Sequence, residues 1–176
     1  MTPDQVYSKA LQAGKRFPEL EHLILTAGIG MTYLYTINIV KGRWIEAENI
    51  IAADACAAII YAKEIIKERF EKAEKLIAKN SYCAYKYAAD TIKGRFEKAE
   101  KLIACSDYNE AYIKIVFCSK PPADYASKSS FGLYLYAKNV LKGRLPTELH
   151  NRMLCFAIIE TDAKHIKTYF KSKKYQ

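Results

Sequence analysis

The chain has 176 residues, 51% of them hydrophobic and 27% charged, and its formal net charge is +9. This composition excludes a disordered chain, and the length suits one domain with a continuous core. No apolar run reaches the roughly 18 residues of a membrane-spanning helix, and residues 1–14 lack the apolar stretch of a secretion signal. The sequence therefore predicts a cytoplasmic protein that does not enter a membrane.

The first predicted elements belong to a repeat that runs through most of the chain. Residues 69–78 and 95–104 share the ten letters RFEKAEKLIA, 26 positions apart, and looser copies lie around them. A fixed period in this range is typical of repeat architectures. The arginines that anchor the copies are spaced by 27, 26, 26 and 49 residues. They are Arg16, Arg43, Arg69, Arg95 and Arg144. Because the last spacing is nearly two periods, a degenerate repeat is predicted at about 105–128.

Each repeat is predicted to begin with a helix that precedes the arginine. Before Arg95, the residues Tyr87, Ala88, Thr91 and Ile92 follow the spacing of one helix face. The alanine lets neighbouring helices approach closely. A Lys-Gly pair ends this stripe in three repeats. We expect the glycine to adopt the left-handed conformation and the lysine to interact with the negative end of the helix dipole.

A second, shorter helix is predicted after each arginine. Carboxylates crowd its first turn, as the helix dipole favours, and an apolar pair such as Leu76–Ile77 closes it. Each repeat is therefore a helical hairpin, which buries its apolar stripe only against stacked neighbours. The sequence predicts an all-α fold, an α-solenoid of about six to seven short helical hairpins that forms a single domain over residues 1–176.

The recurrent arginines permit two interpretations. As a ladder along one surface they suit phosphates or an acidic partner, which makes Arg43, Arg69, Arg95 and Arg144 candidate binding residues. Alternatively, each arginine pairs with the carboxylate five residues later, except that Arg144 meets Glu148 at a spacing of four. Because arginine and carboxylate recur together, the sequence favours the structural role.

The tyrosines occupy two positions of the repeat. Tyr85 and Tyr134 share the first position, which is predicted to be partly exposed, and they are candidates for stacking on nucleic-acid bases. Tyr87 and its equivalents hold the second position, which is predicted to lie in the core. The sequence favours the alternative to stacking, in which the rings pack between helices and the hydroxyls reach the surface.

The degenerate repeat is a second candidate site. Pro121 and Pro122 replace the glycine–arginine pair there. Irregular loops often carry binding function, so Phe117 and Tyr125 are candidate partner-contacting residues. The alternative is a decayed copy of the repeat without a function of its own.

Positive charge rises towards the C-terminus, where residues 105–176 carry twelve Lys or Arg and six Asp or Glu. Within the basic C-terminal end at 163–176, candidates for contact with phosphate backbones are Lys171, Lys173 and Lys174, which Tyr169 and Tyr175 flank. The alternative is a solvated tail, since basic charge alone gives only non-specific attraction.

No residue pattern indicates an enzyme. His22 and His150 share a slot that holds Asn49, Lys75 and Lys101 in other repeats, which predicts an exposed polar position. The sequence has no nucleotide-binding loop, zinc-protease motif or catalytic-triad order. The five cysteines include no CxxC pair, so we expect buried free thiols in a reducing cytoplasm, without disulfides or metal. Neither a catalytic activity nor a cofactor is expected.

The repeat resembles the helix-hairpin repeats of uncharacterised phage and viral proteins, whose consensus is close to YAxxVIKGRWPEAE. The residues that carry the resemblance are Tyr87–Glu100 and their copies at 35–48, 61–74 and 136–148. The repeat is also generically similar to tetratricopeptide and Sel1-like arrays, although its period is shorter. The resemblance implies a viral or mobile-element origin and an α-solenoid.

Together these observations predict a binding module that grips a host protein through the concave face of the solenoid. An inhibitor of host defence is one form of this function, and only the resemblance implies it. One alternative is an RNA- or DNA-binding protein that uses the basic C-terminal half, and another is a sponge for a small nucleotide. The protein is expected in the host cytoplasm, as a monomer or as a homodimer through its end repeats.

Overall fold

A computed structural model describes residues 1–160, 163–172 and 175 of the chain. Every regular element in these residues is a helix, which confirms the all-α prediction. The chain forms two compact units, Met1–Ile92 and Lys93–Gln176. The predicted organisation as one continuous domain stays a prediction.

In the first unit, helices alternate as the hairpin pattern predicts. They are α1 (Pro3–Ala13), α2 (Glu21–Thr26), α3 (Ile29–Tyr35), α4 (Glu48–Ile51), α5 (Ala55–Ile60), α6 (Glu71–Ile77) and α7 (Ser81–Lys86). The widened π-helical turns Thr36–Val40, Tyr61–Ile66 and Tyr87–Ile92 extend α3, α5 and α7. Short 3-10 turns, Pro18–Leu20 and Ile45–Ala47, lead into α2 and α4.

The second unit continues the pattern less regularly. Its helices are α8 (Glu100–Ala104), α9 (Asn109–Val116), α10 (Ala123–Ala126), α11 (Ser130–Leu135), α12 (Thr147–Ile159) and α13 (Lys164–Lys171). A 3-10 turn, Glu97–Ala99, precedes α8, and the π-helical turn Tyr136–Leu141 extends α11. At 13 residues, α12 is longer than the short second helix that the repeat predicts.

The first helices of the hairpins begin where the sequence supplies a cap. The side chain of Asp54 accepts a hydrogen bond from the Ala57 amide at 2.8 Å, and Asn80 accepts one from the Cys83 amide at 3.0 Å. Each bond satisfies an amide that the first helical turn leaves without an intrahelical partner.

The turn that ends each first helix differs from the prediction. The left-handed residue is the lysine, with φ of 51°, 59°, 52° and 54° at Lys41, Lys67, Lys93 and Lys142. It is not the glycine that follows three of these lysines. The widened helical turn is the cause, since the amides of Lys41 and Lys67 bond to carbonyls five residues back, at 2.8 and 2.7 Å. The turn is therefore complete before the glycine is reached.

The arginine–glutamate spacing that recurs from repeat to repeat brings these side chains into contact. Arg16, Arg43, Arg69 and Arg95 each donate from Nε to the glutamate five residues later, at 2.7 to 2.8 Å. Glu48, Glu74 and Glu100 are at most 1% exposed. Burying a carboxylate costs free energy unless the group is paired and hydrogen-bonded. Each arginine therefore stabilises the buried glutamate of its own repeat. The structure confirms the predicted pairing.

A tyrosine from the next first helix completes each pair. The Tyr87 hydroxyl accepts a hydrogen bond from the backbone N–H of Phe70 at 2.6 Å and donates to Glu74, which Arg69 also binds. The hydroxyls of Tyr35, Tyr61 and Tyr112 likewise accept from the N–H of the residue after the arginine, at 2.9 to 3.2 Å. Tyr35 and Tyr112 also donate to the glutamate of the pair, at 3.2 Å. We call each set an Arg–Glu–Tyr node. Because the tyrosine lies one hairpin further along, a node joins successive hairpins.

The nodes correct the prediction that the tyrosine hydroxyls reach the surface. Tyr35, Tyr61 and Tyr87 are fully buried, and burial raises the pKa of Tyr87 to about 12. Their rings pack on the aromatic residue after the arginine, as Tyr61 does on Phe70 at 5.4 Å between centroids. The predicted core position is therefore correct for these three rings, but their hydroxyls lie inside the fold. Tyr136, at the same repeat position, is only half-buried.

The last hairpin carries a modified node. The Tyr169 hydroxyl accepts from the Leu145 N–H at 3.2 Å, and Nδ1 of His150 lies 2.9 Å from the same oxygen, where the other nodes have glutamate. His150 is thus half-buried, unlike the exposed slot that the sequence predicts. Among the described residues, no ion pair joins Arg144 to Glu148.

The degenerate hairpin has no node. Pro122 precedes α10 in the position that Phe70 holds before α6, and a proline has no N–H for a tyrosine hydroxyl to bind. Pro121 stands in the place of the arginine, and the fully buried Ala126 in the place of the glutamate. The arginine, the backbone N–H donor and the glutamate of the node are therefore all absent from this turn.

Candidate functional site

A largely apolar groove lies between α5 and α7 of the first unit. Its volume is about 310 Å³, and its lining includes Ile59, Ile60 and Tyr82 with the thiols of Cys56 and Cys83. Ile60 is 41% exposed and Tyr82 is 49% exposed. Large apolar side chains that remain this exposed around a concave surface are typical of binding sites.

Repeat geometry creates this groove. On α5 and its π-helical turn, Ala58, Tyr61 and Ala62 are fully buried in the core. Since a helix cannot turn all its side chains the same way, Cys56 and Ile60 lie towards the groove. On the neighbouring α7, Ala84 is buried in the same manner, while Tyr82 lines the opposite wall.

The rim of the groove is charged but balanced. Nζ of Lys86 lies 3.0 Å from Asp90, and Nζ of Lys63 lies 3.5 Å from Glu64 and 3.9 Å from Asp90. The hydrogen bond to Asp90 raises the pKa of Lys86. Two lysines facing two carboxylates leave little net field, so the groove favours apolar contact over attraction of a charged ligand.

The repeat arginines do not form a surplus of positive charge. Arg43 and Arg69 line a cavity of about 500 Å³ together with Lys72 and the carboxylates of Glu48, Glu68 and Glu71. Lys72 also binds Glu48 at 2.9 Å. Burial raises the pKa of Glu48, but the hydrogen bonds from Arg43 and Lys72 more than offset this and hold it below its ordinary value. Three cations beside three anions make a poor trap for phosphate.

Arg95 and Arg144 differ from the other candidate arginines. Arg95 binds Glu100 at 2.8 Å and also Asp124 at 2.6 Å, which is the carboxylate of the degenerate hairpin. These hydrogen bonds raise the pKa of Arg95. Arg144 is exposed and lies beside the modified node, where it helps to lower the pKa of His150.

Two of the aromatic candidates are half-buried rings of separate units, and the other two pack against each other. Tyr85 and Tyr134 are half-buried, as predicted, but they belong to different units. Tyr125 is fully buried, and the half-buried Phe117 packs on it at 4.9 Å and on Tyr112 at 5.6 Å. In this fold Tyr125 therefore has no exposed surface for a partner, and a binding role for the degenerate repeat stays a prediction.

The C-terminal candidates are also divided. Lys171 is exposed on α13, whereas Lys173 and Lys174 lie outside the described residues. Tyr169 and Tyr175 are 1% and 7% exposed and stack on each other at 5.4 Å. The suggestion that these tyrosines contact phosphate backbones is therefore not supported, because α13 turns its aromatic face into the core.

Sequence reasoning missed one polar cluster in the second unit. Ser130 Oγ lies 2.7 Å from Nε2 of His165 and hydrogen-bonds a carboxylate oxygen of Glu160, beside a cavity of about 420 Å³. Burial lowers the pKa of His165, although Glu160 raises it. Ser130 is 3% exposed and has one proton for two neighbours, so the cluster is better suited to fastening α13 to α11 than to nucleophilic attack. Spacings of 30 and 35 residues gave no sequence signal.

The cysteines are free, but their predicted burial is wrong for most of them. Only Cys83 is buried, whereas Cys56, Cys105, Cys118 and Cys155 are exposed. Burial, together with a hydrogen bond to Cys56, raises the pKa of Cys83 to about 11. Among the residues with described positions, no group of three or more potential ligands is arranged to hold a metal ion.

No protein-family model, curated protein or solved structure matches this chain. In residues 1–160, 163–172 and 175, none of the helices has the length and apolar character needed to cross a bilayer.

Proposed function

We propose that this chain is a non-enzymatic binding protein that uses the α5–α7 groove to hold an apolar segment of another protein. The observation that carries the proposal is the combination of exposed Ile60 and Tyr82 with a charge-balanced rim. An apolar centre with a polar border is the usual anatomy of a protein–protein contact. The matching occupant is an amphipathic segment with one or two large apolar side chains.

The finer architecture is part of the same proposal. We propose that the hairpins stack as an α-solenoid of viral or phage origin, which acts on a host protein in the host cytoplasm. Support for the stacking comes from the nodes, because each one ties a hairpin to its neighbour as a nearest-neighbour array requires. The viral origin, and inhibition of host defence as one form of the activity, rest on the resemblance of the repeat.

The test compares a groove variant with a matched surface variant. Wild type, Ile60→Asp and Ile115→Asp, all tagged, would be used to capture proteins from host lysate with and without nuclease. Ile115 is 49% exposed on α9, outside the groove, so it controls for a charge placed on an exposed apolar position. We expect a discrete protein that survives nuclease and high salt and is lost only with Ile60→Asp. Equal capture by all three proteins would overturn the proposal.

A second candidate function is supported by charge. Lys93–Gln176 carry 16 Lys or Arg against eight Asp or Glu, and α13 exposes Lys164, Lys167 and Lys171 on one side. Such a side suits non-specific contact with nucleic-acid phosphates. Lys164→Glu with Lys171→Glu should then weaken RNA or DNA binding and reduce its dependence on salt. Binding that is insensitive to these changes would exclude α13 as the contact.

A further inference from the structure

Two of the five thiols meet at one place in the first unit. Cys56 lies in the first turn of α5 and Cys83 in the first turn of α7, and both line the α5–α7 groove. The two helices pack against each other, and the thiols are hydrogen-bond neighbours. The remaining cysteines, Cys105, Cys118 and Cys155, belong to the second unit.

We propose that Cys56 and Cys83 are a modification site, at which a low-molecular-weight disulfide such as oxidised glutathione forms a reversible cross-link between successive repeats. The two side chains line the same groove on helices that pack together, which supplies the geometry, since a disulfide forms only where the two residues already face each other at short range. The rigid first turns of two capped helices hold this arrangement.

Different exposures give the two thiols different parts in the reaction. Cys56 is exposed and can be reached by a soluble disulfide, whereas Cys83 is 5% exposed and largely protonated at neutral pH. The Cys56 thiolate attacks one sulfur of oxidised glutathione and forms a mixed disulfide, and one glutathione thiolate leaves. Cys83 then loses its proton and attacks the Cys56 sulfur, which expels the second glutathione. The protein loses two electrons and two protons, and the oxidant becomes two molecules of glutathione.

This inference does not rest on the proposed binding function, because its test needs no partner. Wild type would be equilibrated in glutathione redox buffers and mapped by peptide mass spectrometry after alkylation. We expect one intramolecular disulfide, Cys56–Cys83, that a reductant reverses. It should raise the unfolding midpoint by roughly 5–10 °C, because it closes a chain segment that is free in the unfolded state.

Two variants keep the outcome unambiguous. Cys83→Ser should stop at a glutathione adduct on Cys56, and Cys56→Ser should leave residue 83 without an adduct while helicity by circular dichroism is unchanged. The proposal is overturned if wild-type Cys56 also stops at the adduct. It is equally overturned if Cys56 becomes linked to Cys105, Cys118 or Cys155 as readily as to Cys83.

Discussion

The hairpin around Arg69 and the degenerate hairpin around Pro121 pack the same kind of turn in opposite ways. The first buries a carboxylate beside an exposed arginine, with Glu74 fully inside and Tyr87 bonded to the Phe70 N–H. The second buries the apolar Ala126 and removes the backbone donor by placing a proline before α10. Neither hairpin leaves a buried carboxylate or a buried turn N–H without a partner.

The difference teaches that the node changes as a set. Deleting one partner of a buried polar group costs its desolvation, while replacing the whole group with apolar residues can be nearly neutral. In the degenerate hairpin, arginine, N–H donor and glutamate are lost together, and the half-buried Tyr136 has no turn amide to bind. In the degenerate repeat, the residues whose stabilising contributions depend on one another are thus lost together.

The largest effect is expected when half of a node is restored. Ala126→Glu would bury a carboxylate without its arginine and should destabilise the protein by about 3–5 kcal/mol. Urea unfolding would measure the loss. The control is Ala123→Glu in the half-exposed first turn of α10, where a carboxylate favours the helix dipole and should cost little. Adding Pro121→Arg to Ala126→Glu should recover part of the stability, and an equal loss in both single variants would contradict the argument.

A smaller effect is expected from removing one hydroxyl. Tyr87→Phe leaves the buried Phe70 N–H and Glu74 short of a partner, so it should cost about 1–3 kcal/mol. Tyr136→Phe, at the same repeat position without a node, should cost less than about 0.5 kcal/mol. Chemical denaturation of both variants would test this pair. Similar losses would mean that the tyrosine ring, and not its hydroxyl, sets the stability.

As the pH falls, the modified node should begin to lose stability at a higher pH than the glutamate nodes. Burial, with help from Arg144, lowers the pKa of His150. Its contribution is therefore complete above the unfolded value of about 6.5 and is lost as pH falls through the lower folded value. The pKa of Glu48 is also lowered, so its contribution is complete above about 4.3 and is lost only below that.

Hydrogen exchange at single amides would measure these two windows. The protection factor of the Leu145 amide should fall as pH drops below about 6.5, whereas that of the Trp44 amide should hold until below about 4.3. His150→Gln should remove the upper step, while His165→Gln should keep it if His150 is responsible. Loss of both amides in one transition near pH 4 would contradict the assignment.

The smallest effect concerns the left-handed lysines. Lys67 has a φ of 59°, which glycine adopts with less strain, so Lys67→Gly should stabilise the fold by up to about 1 kcal/mol. Glu68→Gly is the control, because Glu68 is outside the left-handed region and glycine there only adds freedom to the unfolded chain. Thermal unfolding should move in opposite directions for the two variants.

Much of this organisation could be predicted from periodicity. The helices, the hairpin boundaries and the arginine–glutamate pairs follow from patterns within about one repeat, where spacing limits which residues can meet. The prediction put the tyrosine hydroxyls at the surface because it could not identify their partners. These are backbone N–H groups, which every residue type except proline carries. The contact of Ser130 with His165, and the exposure of Ile60, depend on how hairpins pack, and a local pattern does not contain this information.

The node also means that each repeat depends on a residue that is synthesised after it. Phe70 follows Arg69 in one turn, but the hydroxyl that satisfies its amide belongs to Tyr87, which lies 17 residues later. During synthesis the turn amide and the buried carboxylate therefore lack one hydrogen-bond partner until the next first helix, with its tyrosine, has been made. At the hairpin of Arg144, Tyr169 of α13 supplies that hydroxyl, although α13 is not the first helix of an arginine-anchored repeat.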